Sequence, residues 1–318
     1  MVRWNEWITK LKLMMHEPTA TAVIPPDASA QSGGASLKAD AGTARRARDY
    51  FDNRFVYAVI SERARGLSIG VNMNPDRGCN FDCIYCEVNR RKPVRDIAVN
   101  IEVLRAELKA MLQLVQQGRV RELPGYQTVP AELLDLKEVA LSGDGEPTMC
   151  PKFAEVVQAV VHLRAQSACP PFKIVLITNA TGLDQPAVRR GLPLFTPHDE
   201  VWAKLEAGTQ EAMRRINGTT VSLDKVLHNI LLLARERPVV IQSLFPLIAG
   251  IGPSDDDVEE YVQRLRELKD AGAQISLVQV YSAHRPAILT HCGHLPLKHL
   301  SRIVHRVREV TGLKAEVF

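Results

Sequence analysis

Apolar residues recur along the 318-residue chain at two spacings, every second position in some segments and every third or fourth in others. The first spacing predicts strands over Leu67–Met73, Leu136–Leu141, Lys173–Thr178, Glu200–Leu205, Val239–Leu247 and Ile275–Tyr281, and a short last strand over Ala315–Phe318. The second predicts helices over Ile101–Val115, Lys152–Gln166, Gln185–Arg190, Leu223–Arg237, Ser254–Leu268 and Lys298–Thr311. This alternation predicts an α/β fold in which a parallel sheet is covered by helices.

Polar residues follow several of these strands at their carboxyl ends. Barrels built from βα units place their chemistry at that end. With about six βα units, the pattern favours a partial (β/α)6 TIM-like barrel, and a doubly wound sheet is the alternative.

The N-terminal part of the chain has a different composition. Residues 4–15 have the spacing of a short amphipathic helix, and residues 17–43 are rich in Ala, Ser, Thr, Gly, Pro and Asp, which is typical of disorder. We therefore expect a disordered or weakly helical extension over residues 1–45 and one core domain over residues 46–318.

The totals are those of a globular protein, with 46% hydrophobic and 24% charged residues and a net charge of +4. Half of the six cysteines lie in one motif, which argues against a disulfide framework and for a reducing compartment. Charged residues interrupt the apolar positions of Met1–Met15, and no apolar run has the roughly 18–20 residues of a membrane span. We expect a cytoplasmic protein without a membrane partner.

The segment from Asn74 to Arg90 carries Cys79, Cys83 and Cys86 at spacings of four and three residues. A zinc site normally has four ligands, and the nearest further cysteine is Cys150. A cubane iron–sulfur cluster fits better, because each thiolate binds a separate iron and three ligands leave one iron open. A zinc-binding nucleic-acid module and a non-catalytic electron carrier are the alternatives, although a carrier would normally supply four thiolates.

The pattern Cys-x3-Cys-x2-Cys, with Tyr85 before the last cysteine, resembles the radical S-adenosylmethionine (SAM) superfamily. The resemblance implies a partial barrel of the radical SAM type and a [4Fe–4S] cluster on Cys79, Cys83 and Cys86, whose open iron binds SAM while Tyr85 lies against the adenine. It implies reductive cleavage of SAM to a 5′-deoxyadenosyl radical, which abstracts hydrogen from a substrate. An external electron donor such as flavodoxin or ferredoxin would supply the electron.

The second predicted strand ends in Ser-Gly-Asp-Gly-Glu-Pro-Thr, residues 142–148. By itself this sequence indicates a turn. Beside the cysteine motif it resembles the Gly-Glu motif with which the superfamily binds the amino group of SAM. The resemblance implies that role for Glu146 and for the backbone of Gly143 and Gly145, whereas Asp144 needs no role beyond the turn.

Two later strands end in further candidates. Thr178 and Asn179 could reach a ribose hydroxyl, and the alternative is an ordinary strand-ending turn. Trp202, Lys204 and Glu206 share one face of the next strand. A charged pair there either forms an ion pair or faces the cavity; we favour the cavity, with Lys204 meeting a carboxylate of SAM or substrate. Weaker candidates are Gln242, Gln279, Tyr281 and Arg285.

Three stretches resemble the wyosine-synthase-like group of radical SAM proteins: Arg63–Val71, Gly143–Thr148 and Lys204–Gly208. The enzymes of that group build a tricyclic base on tRNA guanosine and hold a second cluster on upstream cysteines. No cysteine precedes Cys79 in this sequence, so the resemblance does not extend to the substrate.

Arginines flank the cysteine motif and indicate an anionic substrate, either RNA such as tRNA or a phosphorylated small molecule, while a peptide is also open; they are Arg63, Arg65, Arg77, Arg90 and Arg91. The alternative for Arg63 and Arg65 is a solvated basic face. The remaining cysteines, Cys150, Cys169 and Cys292, lack ligand spacing even with His291 and His294 nearby, and we expect no auxiliary metal. No catalytic residue is assigned from the sequence.

Overall fold

The computed structural model describes residues 52–283 and 292–318. The predicted N-terminal extension, Arg285 and His291 lie outside these ranges. The strands are β1 Val56–Ser61, β2 Gly66–Asn72, β3 Leu136–Ser142, β4 Lys173–Thr178, β5 Glu200–Lys204, β6 Val239–Leu244, β7 Pro246–Ile248, β8 Ile275–Tyr281, β9 Cys292–His294 and β10 Ala315–Val317. The helices are α1 Ile101–Gln116, α2 Phe153–Gln166, α3 Pro186–Gly191, α4 Gln210–Asn217, α5 Leu223–Glu236, α6 Asp255–Asp270 and α7 Leu297–Thr311.

Eight strands form one sheet in the order β1-β2-β3-β4-β5-β6-β8-β10. All neighbours from β2 onward are parallel, and β1 pairs antiparallel with β2. A doubly wound sheet reverses its strand order at a switch point. Here the order never reverses, which confirms the partial TIM-like barrel with six central parallel strands, β2 to β6 and β8.

The two faces of the sheet differ in polarity because side chains alternate along each strand. Residues such as Ile69, Leu141 and Leu176 are buried beneath the helices in the main core. The opposite face lines the barrel interior, where Val175, Trp202 and Val240 form a small apolar cluster. Polar side chains, among them Ser68, Glu138 and Gln242, occupy much of the remaining inner face.

Side-chain caps begin two of the predicted helices where the sequence placed them. Asn100 accepts hydrogen bonds from the N–H groups of Glu102 and Val103 at the start of α1. Ser254 and Asp257 form a reciprocal capping box at the start of α6. Such caps satisfy N–H groups that have no partner inside the helix, so they fix where each helix begins.

Several elements differ from the expectations, and the short strand β9 is one that was not predicted. Strand β1 was not predicted, because the run around Val56 is apolar on both faces and shows no alternation. Helix α4 was not predicted either. The single strand expected over Val239–Leu247 is two strands, since Pro246 has no N–H with which to continue the ladder. Within the described ranges, no helix is both long and apolar enough to cross a membrane.

Candidate active site

A cavity of about 460 Å³ opens at the carboxyl ends of the parallel strands and extends into the barrel. Cys79, Cys83 and Cys86 line it together with residues 143–146 and 178–179. Tyr85 and Lys204 line it as well. The fold therefore brings together segments that are far apart in the sequence, as expected for one site at this end of a barrel.

Backbone hydrogen bonds from two other segments shape the cysteine loop. The N–H of Glu146 donates to the carbonyl of Gly78 (2.9 Å), which joins the loop after β2 to the loop after β3. The N–H of Asp82 donates to the carbonyl of Asn217 at the end of α4 (2.9 Å). The loop is therefore held from both sides by protein atoms.

Asn80, between the first two cysteines, is held by three side chains. The Nδ2 of Asn179 donates to the Oδ1 of Asn80 (2.8 Å), and the Nδ2 of Asn80 donates to the Oγ1 of Thr181 (2.9 Å). The Oγ1 of Thr219 donates to the Asn80 carbonyl (2.9 Å). Sequence reasoning missed Asn80 and Thr181. In the structure Asn179 also hydrogen-bonds to the cysteine loop, and its reach to a ribose hydroxyl stays a prediction.

The three cysteines of the motif are unbridged, and burial changes the pKa of two of them. All three cysteines are free. Burial raises the pKa of Cys79, and burial followed by the Glu206 charge raises the pKa of Cys83 to about 12. These two groups are therefore thiols until a metal displaces their protons, since iron binds thiolate.

The arrangement of the ligands also fits a cluster better than a single ion. Within residues 52–283 and 292–318, no three His, Cys, Asp or Glu side chains converge tightly enough to hold one metal ion. A mononuclear zinc site requires such convergence, whereas in a cubane each thiolate reaches its own iron. The residues present fit a [4Fe–4S] cluster, and the assignment of its ligands stays a prediction.

The loop after β3 packs against the cysteine loop because it carries two glycines. Gly143 has φ of +140°, and a Cβ there would lie 2.1 Å from the Oδ1 of Asn72. A Cβ on Gly145 would lie only 2.0 Å from the carbonyl oxygen of Gly78. Close backbone approach is what these positions require, so the backbone of this loop faces the cavity without side chains in between.

Glu146 is almost fully buried and joins the ends of β3 and β4. Its Oε1 accepts hydrogen bonds from the Oγ1 atoms of Thr148 (2.7 Å) and Thr178 (2.5 Å), and its Oε2 accepts one from the N–H of Asn179 (2.7 Å). Burial raises the pKa of Glu146 although these donors oppose the shift. Glu146 and Thr178 thus hydrogen-bond to each other. Their predicted roles toward SAM depend on the further hydrogen bonds that Oε2 of Glu146 and the cavity-facing backbone can still accept.

Lys204 forms an ion pair with Glu206 and also lines the cavity. The two alternatives drawn from the sequence, an ion pair and a cavity-facing lysine, are therefore both realised. The Nζ of Lys204 lies 3.3 Å from the Oε1 of Glu206 and 3.2 Å from the Oη of Tyr85. Burial by itself would lower the pKa of Lys204, but the Glu206 carboxylate together with Tyr281 and Cys83 outweighs burial, and the pKa of Lys204 is raised. Lys204 lines the cavity, whereas Glu206 lies behind it.

Tyr85 hydrogen-bonds to both members of the Lys204–Glu206 pair. Its hydroxyl donates to the Oε2 of Glu206 (2.5 Å), and burial, followed by the charges of Cys83 and Glu206, raises its pKa well above the usual range. The Nδ2 of Asn217 donates to the same Glu206 oxygen and lies 3.5 Å from the Sγ of Cys83. Asn217, which sequence reasoning missed, therefore connects the charged pair to a predicted cluster ligand.

The three weaker candidates that the structure describes, Gln242, Gln279 and Tyr281, lie on the inner face of the barrel. Gln242 and Gln279 hydrogen-bond to each other (3.2 Å), and Gln242 lines the cavity. The ring of Tyr281 lies 4.7 Å beneath the guanidinium of Arg63. The three cysteines outside the motif are separate: Cys150 is buried in the core, Cys169 donates to the carbonyl of Leu112, and Cys292 is part of β9.

The arginines around the motif differ in what they contact. Arg65 pairs with Glu316 of β10 (3.3 Å), and Arg77 donates to the carbonyls of Asn89 and Lys92. Arg63 and Arg90 line the cavity, and Arg90 lies 3.5 Å from Asp82. Arg91 is exposed. Two of the five therefore hold the protein itself together, and two face the cavity.

Comparison with known proteins gives sequence relatives and structural neighbours. The chain is 24% identical over 229 residues to a UPF0026 protein of Helicobacter pylori strain J99, a match that covers 70% of this chain and 66%, just under two thirds, of the relative. In structure it is similar to TYW1 with a lysine–pyruvate adduct bound (TM-score 0.54, 16% identity, 84% of this chain and 89% of that one). It is also similar to Streptococcus suis SuiB bound to SAM (TM-score 0.54, 14% identity, 81% and 52%). At these identities the two structures support the fold alone.

The family comparison covers the site itself. The model of the radical SAM superfamily matches residues 73–265 of the 318, a range that begins before Cys79 and includes Glu146, Lys204 and Glu206. The match exceeds half of the chain and agrees with the partial barrel. The chain therefore belongs to the radical SAM superfamily, whose enzymes use a [4Fe–4S] cluster and S-adenosylmethionine.

Proposed function

We propose that this chain cleaves SAM reductively and abstracts hydrogen from an anionic substrate held inside the barrel. One observation carries the proposal: the three free cysteines, the glycine loop after β3 and Lys204 all line one cavity that continues into the barrel interior. A substrate in that interior would lie directly beneath the loop that carries the cysteines.

Each group in the cavity has a role in this proposal. Cys79, Cys83 and Cys86 would hold the [4Fe–4S] cluster, which when bound supplies the electron that converts SAM to a 5′-deoxyadenosyl radical. The backbone of Gly143 and Gly145, supported by Glu146, would accept the SAM ammonium, and Lys204 would meet a carboxylate. Tyr85, Thr178 and Asn179 would position the nucleoside. An external carrier such as flavodoxin or ferredoxin would deliver the electron.

The arginines support a small anionic substrate more than RNA. Arg63 and Arg90 both line the cavity, where each can reach a carboxylate or phosphate. Arg65 and Arg77, which would otherwise extend a basic surface for RNA, are bound to Glu316 and to backbone carbonyls. A phosphorylated or carboxylated small molecule fits this distribution.

The decisive experiment measures 5′-deoxyadenosine. The full chain is purified without oxygen, supplied with iron and sulfide, reduced and mixed with SAM. We expect 5′-deoxyadenosine from the wild type and from the control Cys292→Ala, and none from Cys83→Ala.

The opposite result is equally definite. A verified, reduced cluster whose paramagnetic resonance does not change when SAM is added would contradict the proposal and support the electron-carrier alternative.

A further inference from the structure

Two groups of opposite charge on the inner face of the barrel have no ionic partner within the described residues. Glu138 of β3 is 1% exposed. The Oγ of Ser68 donates to its Oε1 (3.0 Å), but its Oε2 has no hydrogen-bond partner. A buried carboxylate oxygen without a donor is costly, and native proteins seldom keep one without a reason.

Arg63 approaches the same cavity from the turn between β1 and β2. Its guanidinium stacks 4.7 Å above the ring of Tyr281, and its Nε has no hydrogen-bond partner. No carboxylate within residues 52–283 and 292–318 lies within ion-pair distance of it. The cation–π contact holds the guanidinium plane in place and leaves its donors for another group.

Both residues line the one cavity that also contains the cysteines, yet they do not form an ion pair with each other. Their charges still interact, since Arg63 is among the groups that oppose the burial-raised pKa of Glu138. Lys173, the other nearby cation, is already paired with Glu200 (2.8 Å). The cavity therefore contains a hydrogen-bond acceptor, the Oε2 of Glu138, and a cationic donor, the guanidinium of Arg63, that are not bonded to each other.

We infer that Glu138 and Arg63 form a substrate subsite for a small molecule that carries both an anionic group and an ammonium or other N–H donor. The anionic group, carboxylate or phosphate, binds Arg63, and the donor binds the Oε2 of Glu138, with Ser68 fixing the carboxylate from the other side. This inference rests on the proposed function for its meaning, because the subsite lies in the same cavity as the cysteines. The stretch Arg63–Val71 supplies both Arg63 and Ser68.

The test measures binding to the full chain without added iron, so it does not depend on SAM cleavage. The probes are glycine, β-alanine, 4-aminobutyrate and phosphoethanolamine, with butyrate, ethyl phosphate and butylamine as probes that carry one group only. Saturation-transfer NMR ranks them. We expect at least one of the probes that carry both an amino group and an anionic group to bind. Whether the best of them is an amino carboxylate or an amino phosphate shows which anionic group the subsite prefers.

The variants are Glu138→Gln, which removes the charge at nearly constant shape, and Arg63→Gln, which removes the charge and shortens the side chain. Arg63→Lys, which keeps the charge, is a milder change. Exposed controls are Glu132→Gln and Arg190→Gln. We expect each subsite variant to bind the best probe about tenfold more weakly or worse, since a hydrogen bond to a charged group contributes at least that factor. The controls should bind like the wild type, and thermal unfolding verifies that every variant is folded.

Three results would overturn the inference: no two-group probe binds, one-group probes bind equally well, or binding survives both substitutions. Ordered water would then be the partner of Glu138. The proposed function fails separately, when wild-type protein with a reduced cluster does not respond to SAM. Probe binding in that case would leave the subsite standing.

Discussion

At Gly145 one hydrogen atom separates two packed backbones. A Cβ at this position would lie 2.0 Å from the Gly78 carbonyl oxygen and 2.7 Å from the Cβ of Asn74. Neither atom is the end of a flexible side chain, so the cysteine loop itself would have to move. The position of the three cysteines thus depends on a residue that carries no functional group.

Gly145→Ala should therefore impair cluster binding more than it impairs folding. We expect markedly less iron per chain after reconstitution, with thermal unfolding changed by only a few degrees. The control is Gly293→Ala, where the nearest atom to a new Cβ would lie 3.4 Å away, an ordinary contact. Normal iron content in Gly145→Ala would show that the two loops are not coupled.

Asn217 is the residue through which the chain can tune a cluster on Cys83. Its amide lies 3.5 Å from the Cys83 sulfur, and hydrogen bonds to cluster sulfurs raise the reduction potential. Asn217→Leu should lower the potential of the reconstituted cluster, measured by redox titration followed by paramagnetic resonance. Gln158→Leu, an exposed change on α2, should leave it unchanged. An unchanged reduction potential in Asn217→Leu would mean that Asn217 does not influence the cluster and that its side chain serves only to bind Glu206.

At the scale of elements, helix α5 supports the site from outside the barrel. The Nδ2 of Asn229 donates to the carbonyls of Ala180 (2.8 Å) and Thr181 (2.9 Å), just after β4. Ala180 has φ of +66°, which an alanine seldom adopts without such support. Because Asn179 and Thr181 hold Asn80, this helix indirectly holds the cysteine loop.

Asn229→Leu should lower the free energy of unfolding by about 2–3 kcal/mol, because two buried carbonyls lose their donor. It should also reduce iron content after reconstitution, since the hydrogen bonds of Asn179 and Thr181 to Asn80 would weaken. His228→Leu, an exposed change on the same helix, is the control in urea unfolding. A stability loss with full iron content would confine Asn229 to a structural role.

Asp199 links α2 to the loop before β5 and makes the stability depend on pH. It is buried, pairs with Arg164, and accepts from the N–H groups of Ile174 (2.7 Å) and Thr196 (2.7 Å). Burial alone would raise its pKa, but Arg164 and these donors outweigh burial and lower it. The stabilisation is therefore present above the unfolded-state value of about 3.9 and is lost as the pH falls through the lower folded-state value.

Asp199→Asn should cost about 2–4 kcal/mol near neutral pH, and its difference from the wild type should shrink toward about pH 3. Urea unfolding across this range measures both effects. Asp256→Asn, an exposed change, should follow the wild type at every pH. A difference that stays constant with pH would mean that the Asp199 charge is unimportant.

The sequence predicted the elements that have a clear period, and it could not predict what depends on the assembled barrel. The helix after Asn100 and strand β8 lie where the pattern placed them, because capping and alternation are local. The contacts of Asn80 with Asn179 and the unpaired oxygen of Glu138 arise only when separate strand ends meet. An asparagine in a loop and a glutamate in a strand carry no local sign of such roles.

On the scale of the whole molecule, the net charge of +4 gives only a weak attraction to nucleic acid. Arg91 and Lys92 are exposed beside the cysteine loop, while Arg95 pairs with Asp52 (2.7 Å). Electrostatic binding of this kind falls steeply with salt and carries no specificity. The charge distribution alone therefore does not make RNA the substrate.

We expect unmodified tRNA to bind weakly, to be released between about 50 and 200 mM salt, and to leave the yield of 5′-deoxyadenosine unchanged. Filter binding and the cleavage assay measure these quantities. Replacing Arg91 and Lys92 together by Ser should weaken the binding without changing the yield. Tight binding that raises the yield would identify RNA as the substrate and reverse our preference for a small molecule.

The hydrogen bonds that hold the cysteine loop have a consequence for how a cluster is inserted into the protein. Zinc fingers fold only around their metal, so losing the metal unfolds them. Here the loop is shaped by hydrogen bonds between protein atoms: Glu146 and Asn179 donate to it, and the carbonyl of Asn217 accepts from it. We therefore expect cluster insertion to need little ordering of the chain and a cluster destroyed by oxygen to leave a folded protein behind. The same polypeptide could then be refilled with a new cluster without first refolding.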